Sequence, residues 1–208
     1  MSFLASPTRD TLRATILTLI AGIADAVGYI TMGGVFAANM TGNTVLAGIA
    51  AAQRNYTDAW HHLAPLLAFF LGAMLSRLLL RLSHKPTAGL LVEAALLAVV
   101  GFLPISPESA VLILAVAMGV QASAITHFSG TAVSTVVVTS TLARTADTLL
   151  DRLWPGEKTP LPVVANLPLL ALTWVGYLAG AVAGALLLAA MPYPLLVPVA
   201  LLGLLLFL

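Results

Sequence analysis

The chain has no cysteine and very few charges. Without thiols it forms no disulfide, holds no iron–sulfur cluster or thiolate metal site, and offers no cysteine for a C-terminal lipid anchor. Only 8% of its 208 residues are charged, against roughly a quarter in soluble domains, which excludes water as the main solvent. Nine Lys and Arg stand against eight Asp and Glu for a net charge of +1. The basic residues flank apolar segments instead of forming a patch, so no nucleic-acid partner is expected. No nucleophile–base pair, phosphate-binding glycine loop or metalloprotease motif occurs, so the chain is not expected to be an enzyme or to hold a metal or cofactor. Asp58, His61 and His62 offer ligand types at i, i+3, i+4 spacing, but beside Tyr56 and Trp60 they read as an interfacial belt. The first residues, Met1 to Arg9, lack the charged, apolar and small-residue order of a signal peptide and are expected to lead straight into a helix.

What is present is apolar sequence. Hydrophobic residues make up 60% of the chain and mean hydropathy is +1.04, so the lipid bilayer is its expected surrounding. The apolar segments run Leu12–Met32, Gly33–Ala52, Leu63–Leu82, Ala88–Leu103, Ser109–His127, Ser129–Leu150, Val163–Ala190 and Leu195–Leu208. Lengths near 20 residues predict membrane helices, and the fold class is an all-α polytopic membrane protein forming a single domain over 1–208. Most joins carry charges or proline. Those near Gly33 and Gly130 are glycine-containing and carry no acid, Lys or Arg.

The chain reads as a duplication, 9–104 and 105–208. Leu90-Leu91-Val92 through Leu103 matches Leu195-Leu196-Val197 through Leu208, the ladder Ala68/Gly72/Ser76 matches Gly176/Gly180/Gly184, and Gly22 and Gly33 fall opposite Gly119 and Gly130. If all eight segments span with the N-terminus cytoplasmic, Arg77, Arg81 and Lys85 lie outside. If Gly33–Ala52 and Ser129–Leu150 instead enter and return on one side, every basic residue but Arg54 is cytoplasmic. The positive-inside rule favours the second arrangement. Each half then holds three spans plus one re-entrant or broken helix, and an odd number of crossings makes the halves inverted, as in many transporters. Both termini are then cytoplasmic.

Polar residues inside apolar segments need partners, water or a function. Here they cluster as Asp25, Asn39, Thr41, Asn43, Gln121, Thr139, Ser140 and Thr141, with the tips of the two re-entrant segments expected near Asn43 and Thr141. Uncharged oxygens there suit a solute or ion pathway, with His127 at its edge; hydrogen bonding between helices is the alternative. Asp25, alone in the first helix, either carries a proton or cation or caps backbone N–H groups of the broken segment.

The stretch Asp25-Ala26-Val27-Gly28-Tyr29, Gly34-Val35-Phe36 and Asn39-Met40-Thr41-Gly42-Asn43 resembles the YoaK family of bacterial inner-membrane proteins, a domain of unknown function. The Met-Thr-Gly-Asn element with Gly22-x-x-Asp25 upstream is its most specific mark. Gly119-Val120-Gln121 is similar to the family's Gly-x-Gln-Asn, with Ala122 in place of the Asn. Val138-Thr139-Ser140-Thr141 is similar to its Thr-Gly-Thr, with Ser140 in place of glycine. The resemblance covers nearly the whole chain and implies an inner-membrane location, but no activity.

Three structural expectations complete the reading. Arg77 and Glu93 lie eight residues either side of Lys85 and are expected to form an ion pair across a helical hairpin. Arg144 and Asp147, at i, i+3, suit a pair near a helix end. Gly72, Ser76, Gly176, Gly180 and Gly184 are expected to pack helices closely, within the chain or in a homodimer. The function expected is a channel or secondary transporter for an unknown small solute or ion, proton-coupled through Asp25. The alternative is a membrane-embedded structural or partner-binding protein.

Overall fold

The computed structural model describes residues 7–125, 127–128, 131–132, 134–136, 138–153 and 167–207. The described chain forms α1 (Pro7–Thr31), α2 (Met40–Ala52), α3 (Tyr56–Ser83), α4 (Thr87–Phe102), α5 (Pro107–Ala124), α6 (Val138–Leu153), α7 (Leu167–Ala190) and α8 (Leu196–Leu205). Between α5 and α6, β1 (His127–Phe128) pairs antiparallel with β2 (Thr131–Ala132). Four helices, α1, α3, α5 and α7, are long and apolar enough to cross a membrane. Apart from that short pair the described chain is helical, and the protein is a polytopic membrane protein, as its composition predicts.

Local sequence sets the ends of these helices. Asn55 accepts the Asp58 N–H at 3.2 Å to start α3, and His84 ends it in the left-handed region at φ 55°. The segment expected over Gly33–Ala52 divides in two. Gly33 and Gly34, at φ +76° and +74°, turn the chain out of α1, and only from Met40 does it become helical. The 13 residues of α2 extend about 20 Å, too short for a hydrocarbon core of about 30 Å.

Apolar side chains point both inward and outward. Leu17, Ile20 and Ile23 of α1 are fully buried with Leu114 and Met118 of α5 and Leu169 and Leu170 of α7. On the outside, α3 exposes Leu67, Phe70, Leu71, Met74 and Leu78, and α7 exposes Leu178 and Leu186. The hydrophobic effect would oppose such a surface in water; facing lipid tails it carries no such cost. On α6 the exposed side mixes Leu142, Leu149 and Leu150 with Ser140 and Asp147, while Thr141 and Thr148 are buried.

The tightest packing joins α1 to α7 and α3 to α5. A Cβ on Gly22 would fall on the Tyr177 carbonyl, and one on Gly180 on the Leu19 carbonyl. A Cβ on Gly72 would fall on the Val116 carbonyl, and one on Gly119 on the Phe69 carbonyl. In each case the carbonyl belongs to the residue three before the facing glycine, so the two crossings share one geometry. Gly176 faces Thr15 and Thr18 while Gly184 faces Ile23 and Ala26, so α1 and α7 run parallel. The glycine ladders are thereby occupied within the chain.

One expected contact does not form. Arg77 is exposed, whereas Glu93 is fully buried and neither of its oxygens has a hydrogen-bond partner among the described residues. Gly89 of α4 lies opposite Ser76, whose hydroxyl is 3.4 Å from a Cβ built there. Glu93 therefore sits about 6 Å deeper than the level of Ser76. Arg77, one residue round from Ser76, points out of the hairpin.

Candidate functional site

Asp25 is 3% exposed and its carboxylate gathers three donors. Oδ1 accepts the N–H of Ala38 at 2.5 Å and of Asn39 at 3.3 Å. Oδ2 accepts the Asn39 N–H at 3.1 Å and the hydroxyl of Tyr177. A carboxylate with several donors tolerates burial that an isolated one would not. It binds the segment before α2 to α1, and both to α7.

The Asn-Met-Thr-Gly-Asn element completes that bracket. Asn39 caps α2 by accepting the Gly42 N–H at 3.1 Å. Asn43, fully buried, reaches back to one residue twice: its Oδ1 accepts the Phe36 N–H at 2.9 Å and its Nδ2 donates to the Phe36 carbonyl at 2.8 Å. Irregular backbone inside a membrane protein has to satisfy its polar groups within the protein or with water; in the 33–39 segment the Asn43 amide does so for Phe36 and the Asp25 carboxylate for Ala38 and Asn39. At the far end of α2 the chain enters α3, where His61 packs on Gly33, its Nε2 2.7 Å from a Cβ built there. The start of α2 thus lies beside mid-α1, and its end near the turn that closes α1.

Beside this bracket is a cavity of about 590 Å³. Four rings form much of its wall: Tyr29 of α1, Phe36 before α2, Phe69 of α3 and Tyr177 of α7. Tyr29 and Phe36 stack with centroids 4.7 Å apart. Its polar side chains are Asn39 and Thr41 at the start of α2, Thr139 at the start of α6, and the two tyrosines, Tyr29 and Tyr177. Asp25 itself is not on the wall; the residues that donate to it are.

Deeper, the threonines close up. Thr18, Thr135, Thr141 and Thr173 meet around Trp174 and Tyr177 in a gap too narrow for water. Gln121, fully buried, donates from Nε2 to the Leu17 carbonyl at 3.0 Å and to the Thr135 hydroxyl at 3.1 Å. Its Oε1 and the Trp174 Nε1 have no partner among the described residues.

The eight polar residues singled out in the sequence therefore separate by role. Asn39, Thr41 and Thr139 face the cavity. Asp25 and Asn43 hold its wall from behind, Gln121 and Thr141 belong to the tight cluster, and Ser140 is on the exposed side of α6. The His127 side chain lies outside the described residues. Sequence reasoning missed Tyr177, Thr18, Thr135, Thr173 and the aromatic wall. Tyr177 left one signal: it lies on the stripe of Thr173, Gly176 and Gly180 that packs against α1, where a hydroxyl needs an acceptor.

At the end where α3 begins, His62 Nε2 is 3.8 Å from Asp58 Oδ1. Among the described residues no group of three His, Asp or Glu is placed to hold a metal ion.

A family described as protein of unknown function (DUF1275) matches residues 13–208. The UPF0700 transmembrane protein YoaK of Bacillus subtilis is 30% identical over 195 residues, covering 88% of this chain and 85% of the relative. A second UPF0700 transmembrane protein, RA0705 of Rhizobium meliloti, is 30% identical over 175 residues, or 82% and 72% of the two chains. No solved structure matches.

Proposed function

The chain belongs to the DUF1275 family of proteins of unknown function, and from that premise we propose that it is a channel or secondary transporter. Its cargo would be a small solute or ion crossing the bacterial inner (plasma) membrane. The observation that carries this reading is the cavity: it lies where the starts of two short helices meet, and Asn39, Thr41 and Thr139 reach its wall from both. Polar side chains at such a level are expected to line pathways.

The proposal includes two inverted halves, 9–104 and 105–208, with cytoplasmic termini. In support, α1 packs on α7 as α5 packs on α3, and α2 lies on α3 as α6 lies on α7. The two glycine crossings repeat one geometry, and the positions they equate, Gly22 with Gly119 and Gly72 with Gly180, are those equated by the internal sequence match. The return of the chain from Asp25 to Gly33 through α2 supports a re-entrant segment there. Proton coupling would act through the bracket: protonating Asp25 turns one acceptor oxygen into a donor, which releases a bond to the start of α2 or to α7.

A second reading, a membrane-embedded structural protein, draws on the same bracket, because Asp25 and Asn43 are fully occupied in holding the fold. Cysteine accessibility separates the two readings in this cysteine-free chain. For a pathway, Thr41→Cys and Thr139→Cys react with a membrane-impermeant thiol reagent while Ala47→Cys, buried on α2, does not. Silence at both wall positions, with Lys85→Cys reacting as a control, leaves the structural reading.

A further inference from the structure

The wall of the cavity is specific about charge. Among the described residues it contains no Lys, Arg, His, Asp or Glu. Among the described residues, the charge bonded to this wall is Asp25, which lies behind Ala38, Asn39 and Tyr177; these take up most of its acceptor capacity. An anion in the cavity would meet that carboxylate's field with no cation among the described wall residues to answer it. An organic cation would find the carboxylate already engaged. Either would give up its hydration without a free counter-charge in return. A bare metal ion is disfavoured for another reason: it needs oxygens wrapped around it at about 2–2.6 Å, and a room of about 590 Å³ walled by four rings provides no such cage.

What the wall does offer is flat and neutral. The stacked pair Tyr29 and Phe36, with Phe69 and Tyr177, gives ring faces for a planar partner, the arrangement that aromatic surfaces favour. The polar groups supply both senses of hydrogen bond. Asn39, its oxygen taken by Gly42, keeps its NH2 as a donor. Tyr177, its proton given to Asp25, keeps an oxygen lone pair as an acceptor. Thr41 and Thr139 can do either. The volume falls within the range of about 300–1,000 Å³ typical of sites for small organic molecules.

We propose that the cavity takes an uncharged, planar ring solute bearing both a donor and an acceptor, such as a heterocyclic or aromatic amide, and discriminates against its charged relatives. This rests on the transport reading above and narrows its cargo.

The test uses the full chain with Thr139→Cys, and separately Val45→Cys on the α2 wall, and three water-soluble pyridines that differ mainly in charge. These are nicotinamide (neutral), nicotinate (anion) and 3-(aminomethyl)pyridine (cation). Maleimide labelling is followed with and without each. Nicotinamide is expected to slow labelling by a factor of 1 + [L]/Kd, about tenfold at ten times its Kd, while the charged pyridines leave it unchanged. Adding Tyr29→Leu, which removes one ring of the stack, is expected to abolish that protection without altering the unprotected rate. Equal or better protection by either charged pyridine, or none by nicotinamide, overturns the assignment of solute class while leaving a wetted pathway in place. Unreactive cysteines at both positions, with Lys85→Cys reacting, overturn the pathway and the solute class together.

Discussion

Tyr177 of α7 donates its hydroxyl to the carboxylate of Asp25 on α1, across 152 residues of sequence. A hydrogen bond to a buried charge contributes about 1.5–3 kcal/mol. Tyr177→Phe is therefore expected to lower the unfolding free energy by about 2 kcal/mol, read from denaturant or thermal unfolding in detergent. In a double-mutant cycle with Asp25→Asn the two changes should couple by about 1 kcal/mol or more. Simple additivity would mean that the pair contributes no interaction of its own.

The glycine crossings predict a sharp contrast among Gly→Ala variants. At Gly22, Gly180, Gly72 or Gly119 the new methyl would land on a facing backbone carbonyl, which no rotamer change can relieve. Each is expected to yield little folded protein on size-exclusion chromatography. Gly48, in α2, has nothing within 4 Å of a Cβ, and Gly48→Ala should leave stability unchanged or raise it by up to about 1 kcal/mol. Equal tolerance at all five positions would contradict the close packing.

Glu93 is buried without a partner among the described residues, so removing its carboxyl should help the fold. Glu93→Leu is expected to raise the melting temperature. Arg77→Ala, at an exposed position, should change stability by less than about 0.5 kcal/mol. The two should be additive; a coupling of about 1 kcal/mol or more would restore the ion pair.

Asn43 holds Phe36 by two backbone bonds. Asn43→Ala leaves both Phe36 groups unpaired and is expected to cost about 2–4 kcal/mol. By loosening the wall it should also speed thiol labelling of a cysteine at Thr41. Unchanged labelling would show that α2 keeps its place without this clasp.

The helices were legible because hydropathy and breakers coincide. The expected segment Ala88–Leu103 corresponds to α4 at Thr87–Phe102, and Val163–Ala190 corresponds, over its described part, to α7 from Leu167. The start of α3 was placed late, since the polar run Arg54–His62 reads as a loop, whereas the Asn55 cap begins the helix at Tyr56. The polar residues were found, because each is an anomaly in an apolar stretch, but not their division of labour. That depends on rotation about helix axes. Arg77 and Glu93 fail to meet because a hairpin count fixes depth only roughly and facing not at all. Tyr177 was overlooked because a tyrosine in a membrane helix is no anomaly until an acceptor from another helix is placed against it.

The bracket around Asp25 also has a consequence in time. A chain made from its N-terminus completes α1, α2 and α3 long before Tyr177 and Gly180 exist. Until α7 arrives, Asp25 lacks one of its donors and α1 lacks the helix against which Gly22 is shaped. Helices α1 to α3 must therefore wait with a polar group and a notched surface uncovered. Final assembly is set by the last long helix, and a chain cut off before α7 would leave Asp25 without its Tyr177 donor and Gly22 without its facing backbone.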